Sequence, residues 1–151
     1  MRGAAGRRAP LLTRNIRIDI EGMQLGGWKR VTIPGSTTEK VKYREGQDAG
    51  RHGKVWGQNK YGKLVIERNL LRNQPSLWEW RKYVIDGKID SARRKVTVTV
   101  VDEHKNPQVR WKFSNAWPSK YSAIELGSAA DQKVVTETLY LEFEDMARKT
   151  P

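Results

Sequence analysis

Side chains that could catalyse a reaction or bind a metal are few in this sequence of 151 residues. His52 and His104 are its only histidines, it has no cysteine, and no third ligand stands at a recognisable spacing from either histidine. Asp102–Glu103 falls in a predicted turn, and Glu142 and Glu144 share one face of a predicted strand. In these positions the carboxylates are expected to face solvent or to form ion pairs across an interface, and not to act in general acid–base catalysis. We therefore predict no catalytic residue, no metal site, no cofactor and no enzyme activity.

A glycine-rich segment over residues 46–60 is the next candidate. Gly46, Gly50, Gly53 and Gly57 stand among polar and basic residues, but the segment lacks the Gly-Lys-Ser/Thr ending with which a P-loop holds phosphate. We predict a long loop instead, and loops of this length in a small domain are commonly functional. Its glycines would let it follow the surface of a neighbouring molecule.

The charge of the chain points to an acidic partner without naming one. The net charge is +12, with 29 Lys and Arg against 17 Asp and Glu, and the excess is concentrated in residues 1–60. Phosphate contacts together with stacking on aromatic side chains would make the chain a single-stranded nucleic-acid binder. Five basic residues could contact nucleic acid, an acidic patch on another subunit, or only solvent: Arg7, Arg8, Arg51, Lys54 and Lys60.

The tryptophans argue for a core more than for base stacking. Trp80, Trp111 and Trp117 lie within apolar patterns, as packed aromatic side chains do, whereas Trp28 and Trp56 fit either interpretation. No apolar run approaches the roughly 18 residues of a membrane-spanning helix. We expect no membrane-spanning segment.

Period-two alternation dominates the chain and predicts a mainly β domain. Ile16, Ile18 and Ile20 alternate with polar residues, as on a half-buried strand. Further strands are predicted at Trp28–Ile33 and Thr37–Arg44, read as a hairpin across Pro34-Gly35, and at Tyr61–Arg68, Lys95–Val101, Val109–Ser114 and Lys133–Glu144. Pro118 predicts a break or corner after Trp117. Together these predict an antiparallel two-sheet β-sandwich or barrel.

One helix interrupts the strands, predicted over residues 75–87. Ser76 and Glu79 match a capping box, and Gly87 can end the helix in a left-handed conformation. Leu77, Trp80 and Val84 share one face of the helix, which must pack on the sheet because so short a helix is unstable alone.

Three blocks of this pattern resemble one protein family. Residues 60–80 read KYGKLVIERNLLRNQPSLWEW, residues 81–90 read RKYVIDGKID, and residues 109–121 read VRWKFSNAWPSKY. They resemble the tail-tube proteins of contractile-tailed phages, a family shared with extracellular contractile injection systems and related in fold to the hemolysin-coregulated protein of type VI secretion. The resemblance implies that nine residues form the structural core of the family motif: Leu77, Trp80, Val84, Gly87, Trp111, Phe113, Asn115, Trp117 and Pro118.

The resemblance covers residues 15–147 and implies a tube-type β-barrel domain with one short flanking helix. A basic N-terminal arm (1–14) would precede this domain and a short C-terminal tail (148–151) would follow it. Six copies would form a ring, and rings would stack into a rigid tube that sheath contraction drives through a target envelope. We expect the ring-stacking and subunit interface in the arm and the Gly-rich loop, at Arg7, Arg8, Gly46, Gly50, Arg51, His52, Gly53, Lys54, Val55, Trp56, Gly57 and Lys60.

The partners implied by the resemblance are further copies of the chain, a sheath protein, baseplate or spike adaptors, a terminator or cap protein, and DNA or effector protein as cargo. Assembly is expected in a bacterial or archaeal cytoplasm, in a virion tail or an injection particle that can be released extracellularly. Two alternatives stay open: a basic β-barrel that binds single-stranded nucleic acid, and an adaptor or capping paralogue at the end of a tube.

Overall fold

The chain is described by a computed structural model over residues 10–12, 15–43, 53–122, 124, 126–127 and 134–150. This part of the chain contains nine strands and two short helices. The strands are β1 (Ile16–Ile20), β2 (Trp28–Thr32), β3 (Ser36–Tyr43), β4 (Gly53–Tyr61), β5 (Leu64–Asn69), β6 (Arg94–Val101), β7 (Pro107–Tyr121), β8 (Thr136–Glu142) and β9 (Asp145–Lys149). The helices are α1 (Leu77–Ile85) and α2 (Ile89–Ala92).

Two antiparallel sheets share the long strand β7 and form the predicted sandwich or barrel. Sheet A has the order β1-β6-β7-β9 and uses the first half of β7, whereas sheet B has the order β2-β5-β8-β7 and uses its second half. Asn115 lies between the halves with a φ of 51°, a left-handed conformation that asparagine tolerates better than most residues. This local turn lets one strand cross from one sheet to the other.

The core lies between the two sheets and follows the predicted alternation. Ile18 and Ile20 of β1 face Val98 and Val96 of β6, and Val96 in turn lies opposite Phe113 of β7. The side chains that complete the buried cluster come from β5, β8 and α1: Leu64, Ile66, Leu139, Leu141, Leu77 and Trp80. Strand β6, β-branched on both faces, lies between β1 and β7.

Helix α1 begins and ends where its sequence predicts. The Ser76 hydroxyl accepts a hydrogen bond from the Trp78 N–H (3.2 Å), and Gly87 follows the helix with a φ of 74°. Leu77 and Trp80 are fully buried, and the indole N–H of Trp80 donates to the Ala92 carbonyl (2.6 Å). This bond joins α1 to α2, a single turn that the sequence pattern does not predict.

Besides the break predicted at Pro118, three predicted local structures are wrong. Strands β2 and β3 do not form a hairpin: β2 pairs with β5 because Trp28 and Val31 pack against the core, and β3 pairs with β4. The loop predicted over 46–60 is wrong for residues 53–60, which belong to β4. The tail predicted from residue 148 is also wrong, since β9 runs on to Lys149.

Pro118 does not end β7, contrary to the prediction of a break there. It pairs with Leu141 of β8 on one side, and its carbonyl on the other side accepts a hydrogen bond from the Arg81 guanidinium of α1 (3.3 Å). Because this half of β7 is an edge of sheet B, the missing N–H of the proline interrupts no strand ladder.

Candidate assembly surfaces

Strands β3 and β4 form a two-stranded ribbon that pairs with no other described strand. It runs from Ser36 opposite Tyr61 to Tyr43 opposite Gly53. Residues 36–41 and 58–60 are all exposed, so neither face of this part of the ribbon rests on the barrel. A lone two-stranded ribbon is marginally stable in water. The ribbon therefore offers two faces and two unpaired strand edges to a partner.

A bulge near the middle of the ribbon requires the glycine at position 57. The pairing shifts between Thr38 and Lys40, so that Gly57 and Gln58 lie opposite Glu39 alone. A Cβ atom on Gly57 would lie 3.1 Å from the Glu39 carbonyl oxygen. Larger residues would force the strands apart at this point.

Polar contacts hold the ribbon in register between this bulge and the barrel. The Thr38 hydroxyl donates to the Asn59 side-chain oxygen (2.8 Å), and the Lys60 ammonium forms an ion pair with Glu39. At the base of the ribbon, the Gly62 N–H donates to the Gly35 carbonyl (3.1 Å). The ribbon is thus a defined arm that closes where it meets the barrel.

A fully buried ion pair, here called the Arg68–Glu137 clamp, holds the barrel and α1 together. The two residues lie opposite each other on β5 and β8, with 2.8 Å between Arg68 Nη1 and Glu137 Oε1. The Arg68 side chain also donates to the Gly26 carbonyl (3.0 Å), the Pro75 carbonyl (3.3 Å) and the Gln74 side-chain oxygen (3.0 Å). These bonds join the two segments that lead into β2 and α1 to sheet B.

Glu137 completes the clamp with two further hydrogen bonds. Its Oε1 accepts from the backbone N–H of Leu77 (2.9 Å), the first residue of α1, where the helix dipole favours a negative charge. Its Oε2 accepts from the Tyr121 hydroxyl (2.6 Å). Burial, and then this bond to a carboxylate, raises the pKa of Tyr121 well above its ordinary value.

Open strand edges are the second surface on which subunits could join. In the described chain, β1, β2 and β9 each pair with one strand on one side only, apart from a single bridge between Ile20 and Met23. β1 and β2 border a seam between the sheets, which holds a cavity of about 340 Å³ lined by Ile16, Val31, Val98 and Trp111 among others. The outer edge of β7 is covered in part by Arg81.

The two helices carry a third surface, which is apolar. Trp78 is 45% exposed, Ile85 55% and Ile89 60%. A cavity of about 370 Å³ lies beside them, lined by Val84, Gly87, Ile89, Ala92, Arg93 and Trp117. Large exposed apolar side chains that cluster in this way are characteristic of a contact surface.

The residues assigned to the family motif lie in the core or at the turns that shape it. Leu77, Trp80 and Phe113 are buried, as is Pro118, while Val84, Trp111 and Trp117 are half-buried. Gly87 and Asn115 have the left-handed conformations described above. The Arg68–Glu137 clamp was not predicted from the sequence, although both residues lie within the strands that were.

The predicted interface residues are only partly within the described chain. Gly53, Gly57 and Lys60 lie in β4, as do Lys54, Val55 and Trp56, whose side chains are not described. The predictions for Arg7, Arg8, Gly46, Gly50, Arg51 and His52 lie outside the described residues. Half of the predicted interface residues therefore lie on one ribbon, and their contacts with other subunits stay a prediction.

The histidine and the acidic pairs singled out in the sequence occupy local structural positions. His104 is exposed, and its backbone N–H donates to Asp102 in the turn between β6 and β7. Backbone hydrogen bonds from this turn, the one from Asn106 first, lower the pKa of Asp102. Glu142 pairs with Lys63 (3.7 Å), and Glu144 accepts from the Asn115 amide (2.7 Å). No group of three or more potential metal ligands occurs among the described residues.

Base stacking finds little support in the tryptophans whose side chains are described. Trp80 is buried, Trp28, Trp111 and Trp117 are half-buried, and only Trp78 is exposed. Trp78 makes an edge-on contact with Tyr121, with 5.3 Å between ring centroids. None of the helices in the described part of the chain has the length and apolar character needed to cross a membrane.

Comparison with known proteins identifies the same architecture. The family described as T4-like virus tail tube protein gp19 matches residues 13–147. No curated protein sequence matches the chain significantly.

Several solved structures share the fold over nearly the whole chain. A chain in the extended sheath–tube complex of the PVC extracellular contractile injection system is similar over 100% of this chain and 99% of its own, with 13% identity and a TM-score of 0.81. A chain in the tube-terminating cap of the anti-feeding prophage matches over 95% and 93%, with 15% identity and a TM-score of 0.77. Hcp1 from Flavobacterium johnsoniae matches over 91% and 96%, with 16% identity and a TM-score of 0.51.

Proposed function

Because the chain belongs to the T4-like virus tail tube protein gp19 family, we propose that it is the repeating subunit of the inner tube in a contractile tail or contractile injection system. Six copies close into a ring, and rings stack head to tail into a hollow conduit. The observation that carries this proposal is the likeness to the sheath–tube complex, which extends over essentially the full length of both chains. A subunit with this fold acts through assembly and stiffness.

The open edges supply a physical route to the ring. Unpaired edges of β1, β2 and β9 invite pairing with another chain, and a closed ring removes them by pairing one subunit with the next. The charged pair Arg17 and Asp19, 3.4 Å apart on β1, limits pairing with unrelated strands. Continuous strand pairing around a channel would give the wall its stiffness.

The ribbon supplies a route to stacking. Both faces are exposed over residues 36–41 and 58–60, the register of the ribbon is fixed, and its marginal stability alone calls for support from a neighbour. We assign it to the contact between one ring and the next, a head-to-tail contact that generates a filament. Lys60, Gly57 and the basic residues near its tip belong to this contact.

Sheath, baseplate and cap proteins are the further partners in this proposal. The exposed apolar surface around Trp78, Ile85 and Ile89 is available to such a partner or to another subunit. DNA or an effector protein would pass through the channel. Assembly takes place in the cytoplasm of a bacterium or archaeon, before the finished tail or injection particle is released.

A tube-end adaptor or cap is the second candidate function. The likeness to a chain of the tube-terminating cap, with a TM-score of 0.77, favours it specifically. An end protein forms one ring species that does not add to itself, whereas a tube subunit lengthens as its concentration rises. Sedimentation velocity over a hundredfold concentration range therefore separates the two.

Excising the ribbon tests its role in stacking. Residues 36–61 are replaced by Asn-Gly, which can close a tight turn between Gly35 and Gly62, already joined by a backbone hydrogen bond. We expect a barrel that still folds, somewhat less stable because the contact of Tyr61 with Phe143 is lost, and that forms single rings and no tubes in negative-stain images. Gly62→Ala is the control, because its added Cβ meets Pro34 at an ordinary 3.6 Å. Normal tube growth without the ribbon would show that stacking uses another surface.

A further inference from the structure

The outward side of sheet A carries a concentration of positive charge, of which, among the described residues, only Arg17 is in an ion pair, with Asp19 (3.4 Å). Strand alternation places five cations on this side, away from the core: Arg17, Lys95, Arg110, Lys112 and Lys149. Asp19 and Asp145 are the only acidic residues that the described strands add to it. We call this surface the basic face.

The cations of the basic face are arranged in rows across the strands. Arg17, Thr99, Arg110 and Lys149 are successive partners on β1, β6, β7 and β9. The row is about 14 Å wide, from three strand spacings of about 4.8 Å. Lys112 lies in the next row, about 7 Å along the strand.

The arrangement costs the subunit stability when nothing is bound. Arg110 and Lys149 lie directly opposite each other, and like charges in that position repel. Among the described residues, neither of them nor Lys112 has an acidic partner within ion-pair distance. Sheet B differs only in part: Lys29 pairs with Glu67 (3.4 Å) and Lys63, just before β5, pairs with Glu142 (3.7 Å), whereas Arg30 and Lys120 have no acidic partner within ion-pair distance among the described residues.

A buried hydroxyl in the same row is a second and independent sign of a ligand. Thr99 is fully buried between Arg17 and Arg110, and its hydroxyl has no hydrogen-bond partner in the described structure. A buried polar group without a partner is costly and uncommon. When the Arg17 and Arg110 side chains move apart to hold an anionic oxygen between them, that oxygen would give this hydroxyl an acceptor.

We infer that the basic face binds the phosphodiester backbone of nucleic acid, without base specificity, as it passes through the tube. An acidic protein is disfavoured because this face has no large exposed apolar side chain in its described strands, only threonine, serine, alanine and Gln108 between the charges. Contacts through phosphate alone are independent of sequence and suit a cargo that must slide. The inference rests on the proposed function, since it assigns the cargo of the tube.

The test compares two variants that remove the same charge from different surfaces. Arg110→Gln/Lys112→Gln/Lys149→Gln neutralises the basic face, and Arg72→Gln/Lys82→Gln/Lys88→Gln removes three exposed cations around α1. Binding of a fluorescein-labelled 30-base-pair DNA duplex is measured by anisotropy between 50 and 200 mM NaCl. Three lost phosphate contacts should flatten the slope of log affinity against log salt by about 2.7, since each contributes about 0.9. The control should stay close to the unmodified chain.

Each outcome supports or overturns the inference. An equal change in both triple variants, or no duplex binding by the unmodified chain, overturns it. Unchanged duplex binding together with lost binding of polyglutamate also overturns it, in favour of an acidic protein. If the triple variant does not fold, Arg110→Gln and Lys149→Gln are measured singly, each with an expected slope change of about 0.9.

Negative-stain images of the same samples keep this inference separate from the proposed function. If the unmodified chain and both triple variants form tubes and bind the duplex equally well, only the proposed DNA binding by the basic face would be refuted. DNA binding that depends on the basic face, without rings or tubes, would refute the tube and leave a nucleic-acid-binding surface. Loss of tubes in the basic-face variant only would place this face in a subunit contact and overturn the inference.

Discussion

Replacing Glu137 by glutamine should be among the most damaging conservative changes in the barrel. Glutamine has nearly the same shape, but it removes the charge that compensates Arg68, whose side chain is fully buried. It also weakens the acceptor for the Leu77 N–H and for the Tyr121 hydroxyl. The sheet and the start of α1 therefore lose a shared anchor in one substitution.

The expected loss follows from the burial of both partners. Removing one member of a buried ion pair costs about 3–5 kcal/mol, because the other charge is left uncompensated. For a chain of this size, that corresponds to a fall in the melting temperature of about 6–20 °C. A domain stable by about 5–15 kcal/mol would therefore retain about 0–12 kcal/mol, so only a domain near the lower end of that range would unfold at low temperature.

Urea unfolding followed by far-UV circular dichroism measures this loss, at one low protein concentration so that assembly adds no stability. Glu142→Gln is the control on the same strand, since its pair with Lys63 is exposed and should contribute less than about 1 kcal/mol. The double replacement Arg68→Met/Glu137→Met should recover much of the loss, because it leaves no buried charge. A Glu137→Gln variant within about 1 kcal/mol of the original would refute this view of the clamp.

Three further changes test other parts of the account. Tyr121→Phe should cost about 1–2 kcal/mol at pH 7 through the lost bond to Glu137. Because folding raises the pKa of this phenol above its ordinary 10.0, its contribution to stability is complete below pH 10 and fades above it. Urea unfolding between pH 9 and 11 should therefore show a smaller decline in the free energy of unfolding for the variant than for the original chain. Asn115→Ala should destabilise the corner of β7 by about 1–2 kcal/mol and Asn115→Gly by less, because only alanine adds left-handed strain; equal losses in thermal unfolding would contradict this. Gly57→Val should leave thermal unfolding nearly unchanged yet impair tube growth in light scattering, whereas unimpaired growth would mean that the bulge is not needed for contact.

The barrel was predictable because its strands follow simple patterns. Ile16, Ile18 and Ile20 alternate with polar residues, as on a strand with one buried face, and the β-branched run of β6 forms a strand that lies between β1 and β7. The position of α1 followed from Ser76 and Gly87. At these positions the local preferences of the residues agree with their burial, so the sequence alone predicts the strand or the helix.

The ribbon and the clamp were missed for different physical reasons. Residues 53–60 show no alternation of apolar and polar residues, and residues 58–60 are exposed together with their partners on β3, so the sequence there shows no buried face and is typical of a loop. The clamp did leave a signal: Arg68 shares its strand face with Leu64 and Ile66, and Glu137 shares its face with Leu139 and Leu141. Opposite charges on two core-facing strand positions predict a buried pair.

Electron microscopy of the purified chain shows directly whether it forms a tube. The chain is concentrated from micromolar to millimolar in 150 mM salt and imaged in negative stain, with two-dimensional averages of end views. A tube subunit should form sixfold rings with a central channel that stack into tubes of increasing length. Particles that stay single subunits over this range, or rings without a channel, would contradict the proposed tube.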